Sequence, residues 1–210
     1  GGGADVAGSE AVAEIHDALA AGVNHFENAD VYGNGKAERM LAQALGSRRD
    51  EVIIATKVGH FRGTAEHAYD ALHIRHQCEQ SLRNLNTDYI DLYYFHHGDF
   101  GPHDRWLDDA VAMMHRLRDE GKIRLIGLSA YSDEDFARLV PKIKPTVLQS
   151  WAHQMDDQFI RPGSVVADLM GIYDCTFVAF SPPNQGILLD KYAPNNPPKF
   201  EEGDIRGGHD

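Results

Sequence analysis

Short β-branched or aromatic runs alternate with longer amphipathic segments along almost the whole chain, and this alternation restricts the fold more than any other feature. The pattern predicts strands over 23–27, 51–57, 90–96, 123–129, 146–149 and 176–181. Between them it predicts helices over 9–21, 36–45, 68–85, 105–120, 132–140 and 163–171. Ser9 is placed to cap the first helix, Glu120-Gly121-Lys122 to close the fourth, and Ser132 with Asp133 to open the fifth. Repeated βα units build a parallel sheet, either open and doubly wound or closed into a (β/α)8 barrel. No Gly-x-Gly-x-x-Gly follows a strand; "YGNGKAE" has only two glycines at that spacing and follows a polar turn. The expectation is therefore an α/β chain, residues 1–210 forming one TIM-type barrel domain.

Composition narrows the setting. With 210 residues, 42% of them hydrophobic, the chain is long enough for one sizeable core. A formal charge of −12 without a basic stripe argues against nucleic acid or an anionic membrane surface as the partner. Apolar runs such as "EVIIATKVG" are too short to span a bilayer, and "GGGADVAGSE" has neither a positive nor an apolar leader region. Cys78 and Cys175 form no Cys-x-x-Cys pair, which fits a reducing cytoplasm. His73 and His76, near Cys78, read as a solvated helix surface rather than a metal site, and no metal is expected.

In a barrel, chemistry belongs where strands end and βα loops begin. The predicted strand ends supply Glu27, Lys57, His96, Ser129, Gln149 and Ser181, each polar in otherwise apolar surroundings. Tyr32 follows Glu27 closely. A phenol with a pKa near ~10 is a poor donor alone. The Lys57 ammonium is expected to lower that pKa, the Glu27 carboxylate to hold the lysine charged, and His96 to add a second donor. Such a set polarises a carbonyl oxygen and protonates it, or runs in reverse on an alcohol. Hydride must come from elsewhere, which implies a nicotinamide cofactor.

The same residues resemble the aldo-keto reductases. "NHFENADVYG" is similar to the family's stretch around its catalytic tyrosine; Lys57 in "IIATKVG" and His96 in "DLYYFHHGD" match its lysine and histidine. By this resemblance Tyr32, Lys57, His96 and Glu27 are catalytic. It further implies that Ser129 in "IGLSAYS" and Gln149 in "VLQS" hold the nicotinamide carboxamide, that Phe180 stacks on the ring, and that Ser181 meets the pyrophosphate. Departures from the family pattern are Glu27 for aspartate, Asn28 for threonine, Ala130 for asparagine, Phe180 for tyrosine, and the pair His97-Gly98.

The family barrel has eight strands and the pattern here gives six. The two others are expected before residue 1 and after residue 210, the latter stretch normally carrying the contacts to the adenosine 2′-phosphate. The barrel is therefore expected to be incomplete at both ends and the sequence to be part of a longer chain; a genuinely shorter protein is expected to need an oligomeric partner over its open edges, so a homo-oligomer is one expectation. The leading functional expectation is reversible NADPH-dependent reduction of a small carbonyl substrate to an alcohol. Non-redox acid–base chemistry on the same barrel and a cofactor-binding regulatory subunit are the alternatives. Trp151, just past a predicted strand end, is a candidate substrate-binding residue; Trp106, Met113 and Met114 read as helix packing. "GPHDRW" at 101–106 reads as a substrate wall or an ordinary turn, and the proline-rich stretch 193–210 as a mobile surface segment.

Overall fold

The structure, a computed structural model, describes residues 2–184 and 188. The expected tail at 193–210 lies outside the described residues. Six strands run β1 (His25–Glu27), β2 (Ile53–Val58), β3 (Ile90–Phe95), β4 (Ile123–Ser129), β5 (Val147–Trp151) and β6 (Thr176–Phe180). The helices are α1 (Gly2–Ala20), α2 (Lys36–Leu45), α3 (Ala71–Leu85), α4 (Leu107–Asp119), α5 (Asp133–Ile143) and α6 (Val165–Tyr173). Each strand pairs in parallel with the next, in sequential order from β1 to β6. Among the described residues, no helix is long and apolar enough to cross a membrane.

Strand alternation produces two cores. On β3, Tyr93 and Phe95 face the helices, while Leu92 and Tyr94 join Ala55 and Val147 on the concave side of the sheet. On β2, Ile54 and Val58 pack outward, and Lys57 has the parity of concave-facing Ala55. The sheet curls far enough for the Gln149 amide on β5 to donate to the Glu27 carboxylate on β1, strands that are not neighbours. That contact requires barrel-like curvature.

Several expected boundaries move. The first helix begins at Gly2, so Ser9 lies within it instead of capping it; no proline interrupts the small-residue segment ahead of Ser9. A 3-10 turn over Gly46–Glu51 takes the start of the second predicted strand. Asp70 caps α3, its Oδ1 accepting from the Leu72 and His73 N–H groups at 3.0 Å each. Ser132 caps α5 as expected, accepting from the Asp135 N–H at 3.2 Å, but the helix continues through Pro141 to Ile143. Trp151 is the last residue of β5 and not past its end, because it still pairs with Phe180. Cys78 is fully buried on α3, while the His73 imidazole meets the Phe61 carbonyl at 2.8 Å. Trp106 stacks on His67, with ring centroids 5.7 Å apart, and Met113 and Met114 are core.

Gly127 on β4 lies against the Tyr94 ring of the concave core. A Cβ there would sit 2.3 Å from Tyr94 Cδ1, so the absence of a side chain on β4 leaves room for the phenol ring on β3. Gly127→Ala is expected to lose about 1–3 kcal/mol from overpacking. In chemical denaturation the Gly127→Ala/Tyr94→Ala double variant should lose less than the sum of its two single changes.

Candidate active site

The site forms at the C-terminal ends of β1, β2 and β3. Lys57, second-last residue of β2, is 2% exposed. Its ammonium donates to Glu27 Oε1 at 2.5 Å and to the Asn28 carbonyl at 3.2 Å. The second Glu27 oxygen accepts the Gln149 amide N–H. Lys57 Nζ also lies 5.6 Å from the centroid of the Tyr32 ring and 5.8 Å from that of Tyr94. The one-methylene-longer acid therefore bridges Lys57 to the far side of the curled sheet, and the expected contact between Glu27 and Lys57 is present.

Tyr32 sits on the turn that joins β1 to α2. The Asn28 N–H donates to the Ala55 carbonyl at 2.8 Å and the Asp30 N–H to the Lys57 carbonyl at 3.2 Å, binding the turn to β2. The turn then passes through Gly33 and Gly35, both with positive φ. The Tyr32 ring is 44% exposed, open to the mouth of the sheet. His96 directly follows β3, its ring centroid 6.0 Å from that of Tyr32 at 81°. Glu27, Tyr32, Lys57 and His96, far apart in sequence, are thus brought together.

The electrostatics correct one expectation. The Tyr32 pKa is raised, not lowered: burial, the Glu27 carboxylate and Tyr131 all disfavour the phenolate, and Lys57 does not reverse them. Burial likewise lowers the Lys57 pKa, with Glu27 partly restoring the charged form. His96 is pushed down to about 2 by burial and by His60, Lys57 and His97, so its imidazole is neutral at physiological pH. The Tyr69 hydroxyl stabilises the following loop, donating to the His97 carbonyl at 2.8 Å and accepting from the His97 N–H at 3.0 Å.

Ser129 and Gln149 are register partners at the ends of β4 and β5. Both are buried. Burial raises the Tyr131 pKa, and the nearby Ser129 side chain partly offsets it. Phe180 ends β6, its centroid 6.4 Å from Trp151 and 6.1 Å from Tyr131, so three rings line this side of the mouth. Ser181 follows at φ 51°, turning the chain just past the strand. Trp151 donates its indole N–H to Asp156 at 2.8 Å, which fixes its orientation. Residues 101–106 lie around a short 3-10 turn at Pro102–Asp104. Sequence reasoning missed His60, 4.2 Å from the His96 ring, and Tyr131; the latter's spacing of two from Ser129 on a loop carries no strand-end signal.

The Aldo/keto reductase family profile matches residues 1–206. The chain belongs to this family. An L-galactose dehydrogenase from Arabidopsis thaliana is 30% identical over 154 residues, covering 70% of this chain and 48% of that protein. A methylglyoxal reductase from Escherichia coli is 34% identical over 129 residues, covering 61% and 42%. Among solved structures, an aldo-keto reductase from Bacillus halodurans in its holo form aligns with a TM-score of 0.78 at 26% identity, covering 92% of this chain and 64% of that one. One from Klebsiella pneumoniae, in complex with NADP and acetate, gives 0.73 at 26% identity, covering 88% and 62%. This aldo-keto reductase chain spans about half the length of the curated relatives it matches, and its six parallel strands correspond to part of their (β/α)8 fold.

Asp30, two residues before Tyr32, is a further buried carboxyl, its pKa raised to about 6 mainly by burial. The folded state therefore binds its proton more tightly than the unfolded chain. Its contribution to stability is full below the ordinary aspartate range and is lost as pH rises through about 6. In melting experiments across this window, the stability of the wild type relative to Asp30→Asn should fall with rising pH. A pH-independent difference between the two proteins would contradict the assignment.

Proposed function

We propose that this chain carries the proton-transfer half of an NADPH-dependent carbonyl reductase, with Tyr32 as the acid in reduction and the base in alcohol oxidation. The observation that carries the reading is the buried Lys57 ammonium, held by Glu27 and lying under the Tyr32 ring beside the neutral His96 imidazole. A carbonyl oxygen entering the mouth meets two hydrogen-bond donors, the Tyr32 hydroxyl and an imidazole N–H. The lysine charge favours negative charge developing on that oxygen and on the phenolate left behind. Because Tyr32 holds its proton above the ordinary phenol range, it stays a donor through neutral and mildly alkaline pH, which favours reduction over oxidation there.

The donor set fits a nicotinamide. Ser129 and the Gln149 carboxamide lie side by side by strand register, and Glu27 takes one N–H of Gln149, leaving its carbonyl oxygen free to accept. Phe180 offers a ring face, and Ser181 supplies a hydroxyl at the turn. The cofactor, when bound, supplies the hydride. Trp151 and Tyr131 line the same mouth and would contact the substrate. Cys78 and Cys175 are free, buried thiols, as suits a protein working in a reducing cytoplasm.

A specific observation favours the non-redox alternative: the Gln149 amide already donates to Glu27. Incubating the protein with NADPH and a panel of carbonyls separates the two. Loss of nicotinamide absorbance supports reduction, and substrate conversion without it supports acid–base chemistry alone.

Tyr32→Phe is expected to cut turnover about 10²–10⁴-fold while NADPH binding, followed by fluorescence, persists. Turnover near wild type would remove Tyr32 from the role. Glu27→Gln keeps the hydrogen-bonding shape but removes the charge that restores the Lys57 ammonium, so the alkaline limb of its pH–rate profile should move to lower pH. Glu27→Asp should keep that limb closer to the wild-type position.

A further inference from the structure

The Asp30 carboxyl and α3 are tied together beside the Tyr32 turn, in a place that the proton-transfer chemistry does not use. Asp30 Oδ2 accepts the Gln77 amide N–H at 2.9 Å, and both side chains are buried. Asp30 Oδ1 is buried without a partner among the described residues. The same residue's backbone N–H donates to the Lys57 carbonyl, while the Lys57 ammonium donates to the Asn28 carbonyl. The turn that carries Tyr32 is therefore held from two sides: by both ends of Lys57, and by α3 through one carboxylate–amide contact. Beside this contact is a cavity of about 400 Å³ lined by Asp30, Glu38, His76, Gln77 and Ser81 among others, so the turn is not wedged by dense packing on that side.

We propose that Asp30 is a positioning residue whose grip on Gln77 seats the Tyr32 turn against Lys57, so that protonation of Asp30 changes how well Tyr32 donates its proton. The proposal rests on the reading of Tyr32 as the acid. An ionised carboxylate accepts the Gln77 N–H strongly, and a neutral acid does so weakly. A small displacement of a proton donor is costly, because a misplacement of ~1 Å can reduce rates by about 10²-fold.

Charged and titratable groups face Asp30 from every element packed against it. From α2 comes fully buried Glu38, which accepts from Thr56 and Asn84 at 2.8 Å each, with Arg39 also lining the cavity. From α3 comes His76 beside Gln77. Tyr93 on β3, Tyr69 ahead of α3, and Lys57 on β2 complete the set. Burial, and to a lesser degree Glu38, raises the Asp30 pKa while Gln77 lowers it, leaving it at about 6, within reach of modest changes in pH. Removing Gln77 must therefore raise it further.

The test combines kinetics with a readout that needs no turnover. The wild-type chain with NADPH and a carbonyl should show an acid limb in kcat between about pH 5 and 7, with KM little affected. In Asp30→Asn, which keeps an acceptor oxygen for Gln77 but cannot titrate, that limb should vanish. In Gln77→Leu, kcat should fall about 10- to 100-fold and the limb should flatten, because no contact remains for Asp30 protonation to weaken, while the Asp30 carboxyl titration itself moves to higher pH. Independently, carboxyl ¹³C NMR should place the Asp30 titration in the same window, with the Tyr32 ring resonances shifting in step in wild type and not in Asp30→Asn. Persistence of the limb in Asp30→Asn, or an Asp30 titration that leaves the Tyr32 resonances unmoved, would overturn the proposal. Loss of Tyr32 as the acid would show differently, as near-normal turnover in Tyr32→Phe, and the resonance coupling would still decide whether Asp30 positions the turn.

Discussion

One carboxylate, Glu27, accepts from both the buried Lys57 ammonium and the Gln149 amide on the far side of the sheet. A lysine only 2% exposed pays a desolvation cost that becomes tolerable when an opposite charge and further hydrogen bonds surround it. Glu27 supplies the charge and the Asn28 carbonyl supplies a further acceptor. Because the same group also reaches β5, the arrangement depends on the curvature of the sheet as well as on local sequence. Where aspartate is the family pattern, the longer side chain here makes both contacts.

From that pair the rest of the mouth follows. Burial, and with it the Glu27 carboxylate that holds Lys57, disfavours a phenolate at Tyr32, so the phenol remains protonated. Burial, with two neighbouring imidazoles and the Lys57 charge, keeps His96 neutral, able to donate a hydrogen bond without carrying charge. Tyr94, the register partner of Lys57 on β3, fills the concave core and needs Gly127 to do so. The candidate chemistry thus sits above a packed floor, with its groups at the C-terminal ends of the strands and on the turn after β1.

The sequence made the fold legible because βα alternation is a long-range periodic signal, and all six strands occur close to their expected places. Strand-end position alone makes Glu27, Lys57, His96, Ser129, Gln149 and Ser181 candidates, and Tyr32 joins them because it closely follows the first. Boundaries were less legible: the 3-10 turn at Gly46–Glu51 and the extension of β5 through Trp151 depend on pairing with neighbours. The direction of the Tyr32 shift was misjudged because it depends on how burial and Glu27 outweigh Lys57, a balance set by three-dimensional distances. Gln77 carried no signal at all. It is one polar residue on an amphipathic helix, and only the packing of α3 beside the Tyr32 turn gives it a partner.

The central claim is that Glu27 maintains Lys57 as a buried ammonium. Titrating the Lys57 side-chain ¹⁵N resonance in wild type and in Glu27→Gln tests it most directly. With the carboxylate removed, burial acts alone, and the account predicts a clearly lower midpoint in the variant. An unchanged or higher midpoint would contradict it.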